Sequence, residues 1–450
     1  MIKIQEKTYC PTFEYLYLFV MVIYMAQMTK DTARMVGTLS GNPIPFLIPI
    51  VLTIILLKRH PISFNHKKLW QFAGIMLCWS YAVCYKFQDF SSQNLSYYFF
   101  LFYAIFIAFI HIRIYGRDLF PIYEHIMVVL SSISIVLWGF AVLFPGADGF
   151  FYMFPETGFG NNVLYLFNWM DPEKGQIYGS LIRNAGCSWE PGRFAIMLIP
   201  AILINLSREG IKFRNNKRMI ILLAALASTL STTGYSIVIM LYAICWFQRF
   251  TVKRSFYFVV FVLPICWYLF SLDFMTEKIQ DRMGYEEYSE EHMDAYDYYK
   301  KTYRDEYMGS LDRFESASFD WMNFQQEPLL GYGRNADYSW FRQEITENFV
   351  LTGGLVKILA QYGAFIGLLL YIILFYSSFE AYKFFPYQRR LSFALALLLC
   401  SVSYSIFVVP IFTALWLYGL FCYKDDEKVS RILLNRHKLF SPSKRYPDEH

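Results

Sequence analysis

The sequence predicts an all-α fold, a polytopic transmembrane helical bundle of about 12 spans with two large external loops. Three observations lead there. Of 450 residues, 56% are hydrophobic and 17% are charged, against about 45–50% and about 25% in a soluble globular domain. The apolar residues come in runs near the ~20 residues that cross a bilayer. The lysines and arginines gather in short clusters between those runs, as topology signals do. The net charge of +5 therefore points to no nucleic-acid partner, because no basic and aromatic face accompanies it.

The first apolar run, Thr12–Met28, is long, and no small-residue cleavage site follows it, so it reads as a membrane helix rather than a signal peptide. Pro43–Leu57, Leu69–Tyr85, Leu95–Ile112 and Tyr123–Phe144 follow as further spans. Phe194–Leu206, Met219–Thr232, Tyr235–Phe247 and Phe256–Leu272 form the middle group, with Ser228–Ser236 (STLSTTGYS) as a break within a hairpin. Leu355–Phe375, Leu391–Val408 and Ile411–Cys422 complete the set, with Pro410 at a boundary or a kink. The twelve runs make residues 1–450 a single integral membrane domain.

An even count places every basic connection on one side: Lys58–Lys68, Arg113–Arg117, Arg208–Arg218, Arg249–Arg254, Lys383–Arg390 and the tail 423–450. Lys3 and Lys7 join them, so both termini are expected in the cytoplasm. Two long segments, 145–193 and 273–354, fall on the opposite side. The second carries Glu286, Glu287, Glu290, Glu291, Asp294 and Asp297. Ordered connections usually take about 4–6 residues, and longer loops carry function more often than the scaffold beneath them. The eight cysteines lie mostly in apolar runs and form neither a disulfide framework nor a metal-ligand spacing. No cofactor and no metal are expected. Glu124 and His125, near one end of a span, suit an interfacial pair or a proton relay.

The first loop ends in Arg183–Phe194 (RNAGCSWEPGRF). Pro191 suits the first turn of a helix, where its missing N–H is no loss. Glu190 before it would face the positive end of the helix dipole. Arg183, Glu190 and Arg193 thus sit where the chain enters the membrane, a depth at which ionisable groups need partners. A capped helix start with an interfacial salt bridge accounts for them as well as a reaction centre does. The second loop holds Arg313 and Glu315, then Glu327–Arg334 (EPLLGYGR), then Glu347 and Asn348, then Gly353–Gly363 (GGLVKILAQYG). Gly331 and Gly333 allow tight turns, and Arg313 and Arg334 suit either an anionic ligand or lipid headgroups. The aromatic segments Phe150–Phe154 and Tyr296–Tyr303 suit sugar stacking or interfacial anchoring.

In these loops the chain resembles the bacterial superfamily of Wzy-type O-antigen polymerases and O-antigen ligases. The resemblance rests on Arg183, Gly186, Glu190 and Pro191 at the mouth of a helix. It continues with Arg313, Pro328–Gly333, Asn348 and Gly363, and with Ser231–Tyr235 (STTGY) between two spans. It covers about residues 180–376. The ligases place a histidine beside the asparagine, where this chain has Glu347, which favours a polymerase.

The resemblance implies a glycosyltransferase of the bacterial inner membrane, multi-pass, acting in O-antigen, lipopolysaccharide, capsule or exopolysaccharide synthesis. Its substrates would be undecaprenyl-diphosphate-linked oligosaccharide repeats, reached through membrane lipids, with a chain-length regulator protein as a partner. Arginine holds diphosphate oxygens bidentately at any working pH, and a carboxylate accepts a hydroxyl proton. Catalysis is expected from Glu190, Arg183 and Arg313, and substrate binding from Arg193, Arg334, Glu347 and Asn348. The alternatives are a ligase, and a polysaccharide transporter or flippase. A transporter would carry its ionisable residues around a midplane cavity.

Overall fold

The computed structural model describes residues 11–27, 44–144, 146, 148–157, 160–170, 177–178, 181–211, 215–246, 309–310, 313–345, 349–351, 353–385 and 390–422. These residues are mostly helical. The helices are α1 (Pro11–Gln27), α2 (Ile44–Arg59), α3 (Lys67–Lys86), α4 (Ser92–Tyr115), α5 (Leu119–Leu143), α6 (Asp148–Phe151), α7 (Pro191–Glu209), α8 (Lys217–Ser228) and α9 (Thr232–Trp246). They continue as α10 (Arg313–Gln326), α11 (Leu355–Tyr382), α12 (Ser392–Ser403), α13 (Pro410–Trp416) and α14 (Tyr418–Phe421).

Among the described residues, two stretches, Ser92–Leu143 and Leu355–Tyr382, are long and apolar enough to cross a membrane. The first is broken by a turn at Gly116, whose φ of 52° ends α4 before the chain continues into α5. The expected helices Met219–Thr232 and Tyr235–Phe247 appear as α8 and α9, of 12 and 15 residues. Both are shorter than the ~20 residues of a full crossing, and the break between them falls at Thr229–Ser231. The expected span Leu391–Val408 stops at Ser403, because the chain turns extended at Tyr404. Pro410 begins α13 rather than kinking a longer helix, and Ile411–Cys422 divides at Leu417 into α13 and α14. The run Phe256–Leu272, the acidic stretch from Glu286 to Asp297, Tyr296–Tyr303 and the tail 423–450 lie outside the described residues.

The fold is also not purely helical. The first long connection forms an antiparallel sheet of β1 (Glu156–Thr157), β2 (Gly160–Val163) and β3 (Phe167–Met170), followed by a hairpin of β4 (Ile177–Tyr178) and β5 (Leu181–Ile182). In the second, β6 (Gly309–Ser310) pairs in parallel with β7 (Phe349–Val350).

Side-chain contacts define two ends of the helix packing. At one, Glu124 of α5 is fully buried and receives Arg208 at 2.5 Å, Asn205 at 2.8 Å and Arg218 at 3.7 Å. A buried carboxylate is tolerable only with such partners, so this cluster ties α5 to α7 and α8. Glu14 of α1 meets His60 at 2.9 Å and Arg59 at 3.3 Å at the end of α2. The Tyr115 hydroxyl donates to the Glu14 carbonyl. The opposite end gathers Arg183–Arg193, the turn at Thr229–Ser231 and Pro328–Arg334. There Arg193 reaches the Met25 carbonyl of α1, and the Asn184 amide bridges Ser134 of α5 and Ser228 of α8 at 2.8 Å each.

Pro328–Gly333 fills a break in α11. Gly363 leaves helical geometry (φ 69°, ψ 174°), which frees the neighbouring backbone groups. The freed Ala364 N–H donates to Pro328 O at 2.7 Å, while the carbonyls of Ala360 and Gln361 accept from Tyr332 and Gly333 at 3.0 Å. Buried backbone groups need partners, and the inserted loop supplies them in both directions. Trp79 of α3 closes over the insertion, donating to Leu330 O at 2.9 Å and lying 4.9 Å from the Tyr362 ring.

Candidate functional site

The site is built where α7, α9, α10 and α12 begin or end. Glu190 holds extended backbone (φ −149°, ψ 154°) just before α7, and Pro191 occupies the first turn. Its carboxyl group therefore stands at the positive end of a 19-residue helix. Its partner is the hydroxyl of Tyr404, which donates to it. Tyr404 is the residue at which α12 gives way to extended chain.

Arg313 opens α10. Its guanidinium lies 5.7 Å from the centroid of the Tyr404 ring and donates to the hydroxyl of Thr233 in the first turn of α9. Gly192 makes the convergence possible. A Cβ there would stand 2.5 Å from the Tyr404 hydroxyl and 3.6 Å from Arg313 Nη2.

The other sequence-chosen residues fall into three groups. Arg193 is adjacent and feels the charges of Glu190 and Tyr404. It also donates to Met25 O at 3.1 Å and stacks 6.0 Å from the Trp189 ring centre. Arg183 lies on the turn before α9, donating through Nε to Thr229 O at 3.1 Å. Asn184 fixes that contact, its backbone N–H donating to Ser228 O and its side-chain oxygen accepting from Gly186 N at 2.8 Å. Arg334 belongs to a different cluster at the α11 break, with Tyr362 at 3.3 Å and Gln361 at 3.5 Å. Its Nε has no hydrogen-bond partner among the described residues. Glu347 and Asn348 lie outside the described residues.

The arrangement can take a proton from a hydroxyl and hold anionic oxygens beside it. Glu190 supplies the carboxylate, and Arg313 and Arg193 are the cations near it. Arginines so restrained lose little freedom on gripping a phosphate.

Two structurally telling residues had no clear signal in the sequence. Tyr404 is one of 36 tyrosines, in a stretch where only Pro410 drew attention. Asp320 sits seven residues after Arg313, on the face of α10 that buries Ser316, Asp320 and Asn323. Three polar residues at that spacing look like a solvated face, yet all three are inside. Asp320 is fully buried, and neither carboxyl oxygen has a well-formed hydrogen bond among the described residues. Burial pushes its pKa up to about 7, against the pull of the Lys357 ammonium and the Asn323 amide.

That shift has a pH signature. The unfolded-chain value is about 3.9, so between it and the folded value the native state binds the extra proton. Stability should then fall as pH rises through that window and level off above it. Asp320→Asn is expected to remove the dependence. Its melting temperature in detergent should exceed wild type by several degrees near pH 8, a difference of up to about 4 kcal/mol, and the gap should narrow steadily as pH falls towards 4. A constant offset across that range would place the titration elsewhere.

Comparison of the chain with family models, with curated proteins and with solved structures finds no match.

Proposed function

We propose that the chain is a multi-pass membrane glycosyltransferase, an oligosaccharide repeat-unit polymerase that works at the outer face of a bacterial inner membrane. The observation that carries this reading is the meeting of three separate motifs at one point. Arg183–Arg193, the Thr229–Thr233 turn and Arg313 come from segments far apart in the chain, and they contact one another around Glu190 and Tyr404. The resemblance to the polymerase and ligase superfamily draws on these three segments, and also on Pro328–Gly333, Asn348 and Gly363.

In the proposed reaction, a sugar hydroxyl of an incoming lipid-linked repeat attacks the anomeric carbon of the growing chain. The new glycosidic C–O bond forms as the bond to undecaprenyl diphosphate breaks. Glu190 takes the hydroxyl proton, and its hydrogen bond to Tyr404 sets the direction of the accepting oxygen. Arg313 neutralises the departing diphosphate, with the amide N–H groups that open α7 alongside it. Arg183 and Arg193 hold the first loop against α9 and α1, which keeps Glu190 in place.

In this reading, the end carrying Glu14, Arg59, Arg208 and Arg218 faces the cytoplasm, following the clustering of basic residues there. The Glu190 end faces outward, and the chain completes about twelve crossings, some through paired half-length helices such as α8 and α9. Both lipid substrates reach the site laterally from the outer leaflet.

The test is a strain lacking the chain, with surface polysaccharide resolved by size on a gel. Single capped repeats and no ladder are the expected result. Accumulation of long lipid-linked polymer would make the enzyme a ligase instead. Loss of all repeats from the outer surface would make it a transporter.

A further inference from the structure

The sheet that follows α5 ends in an unusual turn. β2 and β3 pair from Gly160↔Met170 to Val163↔Phe167, leaving Leu164, Tyr165 and Leu166 at the tip. Leu164 and Tyr165 both adopt left-handed backbone, with φ of 53° and 61°. Such positions usually fall to Asn or Gly. The Asn162 side chain accepts the Tyr165 N–H at 2.6 Å and fixes the turn. Two large apolar residues are thus held outward, Leu164 72% exposed and Tyr165 56% exposed.

Beneath the tip the unit is well packed. Phe151, Val163, Phe167 and Trp169 bury themselves with Ala141 of α5, and the Phe151 and Trp169 rings stack at 5.6 Å. The outward surface of this cap is apolar too, with Met153 72% exposed and Tyr152 beside Trp169. Residues 148–170 contain no Lys or Arg, and only Asp148 and Glu156 carry charge.

We propose that the Gly160–Met170 hairpin is a membrane-interface anchor, whose tip residues Leu164 and Tyr165 enter the lipid headgroup–acyl boundary beside α5. The occupant follows from continuity. The exposed apolar face of α5, through Val136, Phe140 and Leu143, runs directly into the cap. That helix belongs to one of the two stretches long enough to cross a membrane. Tyrosine and tryptophan favour this depth, and exposed Leu and Met add apolar area that a sugar ring would not match.

The anchor also reaches the candidate site. At the root of the hairpin, Asn168 N donates to Gly186 O at 2.7 Å and its side-chain amide donates to Trp189 O at 3.3 Å. Both carbonyls belong to the segment that leads into Glu190. The hairpin thereby sets the height of that segment relative to the bilayer surface, where a lipid-linked diphosphate would lie.

The inference rests on the membrane placement proposed above and not on the chemistry. It is tested with p-benzoylphenylalanine at position 164, 165 or 136, in protein reconstituted into nanodiscs of phosphatidylethanolamine and phosphatidylglycerol. After irradiation, intact mass is measured. A dominant adduct of one phospholipid at 164 and 165 is the expected result. Adducts joining two copies, or crosslinking that shifts to an added soluble oligosaccharide, would overturn it. Lipid adducts at 136 but none at 164 or 165 would defeat the anchor alone, whereas none at any of the three would defeat the membrane placement itself.

Discussion

Arg313→Ala and Glu190→Gln should each abolish the surface-polysaccharide ladder and leave single capped repeats, with the protein present at wild-type level. Removing a group that stabilises developing charge lowers rate by about 10²–10³, enough to empty a ladder built by repeated turnover. Arg313→Lys should recover only part of the loss. A lysine keeps the charge but not the planar fork, and it gives up the stacking on Tyr404. Tyr404→Phe should shorten chains rather than remove them, because Glu190 keeps its place at the start of α7 and loses only the hydrogen bond that orients it. Lys383→Ala is the control, since Lys383 is exposed and its ion pair among the described residues is with Glu380 in the last turn of α11. A normal ladder from well-expressed Arg313→Ala would place the reaction elsewhere.

Much of that site was legible because its signals are local. Pro191 and the residue before it mark a helix start by the chemistry of the first turn, and the chain begins α7 there. The small and hydroxylated residues of Ser228–Ser236 announced a break, and the break holds Thr229 and Thr233 where the arginines reach them. What escaped is non-local. Tyr404 matters only because Gly192 on another helix leaves space for its hydroxyl. The buried polar face of α10 has the spacing of a solvated one, and only its packing against α11 turns it inward. The hairpin at Gly160–Met170 was hidden for a different reason: its tip breaks the usual turn chemistry, and Leu164 and Tyr165 gave no turn signal.

The same contrast governs the glycines. Gly331 and Gly333 read as turn glycines in the sequence and Gly363 as part of the span Leu355–Phe375, yet in the structure the three form one interlocking joint. Gly363→Ala is expected to be the most destructive single substitution for folding. Its φ of 69° already disfavours any side chain, and a Cβ would sit 2.1 Å from the Leu329 carbonyl oxygen. That neighbour is backbone, locked by the hydrogen bonds that plug α11, so it cannot move without exposing Ala360 O, Gln361 O and Ala364 N. Backbone strain of about 1–3 kcal/mol in this glycine-favouring region adds to the loss of buried hydrogen bonds at about 1–3 kcal/mol each. A total of roughly 4 kcal/mol or more is a large share of the stability of most proteins. Gly139→Ala in α5, where nothing lies within 4 Å of the added carbon, should be neutral or slightly stabilising by helix propensity. The comparison is read from the yield of monodisperse protein in detergent and from its melting temperature. Equal behaviour of the two variants would mean that α11 does not need its break. A collapse of Gly363→Ala alone would show that α11 depends on the joint, which also carries Gln361 and Tyr362, the partners of Arg334.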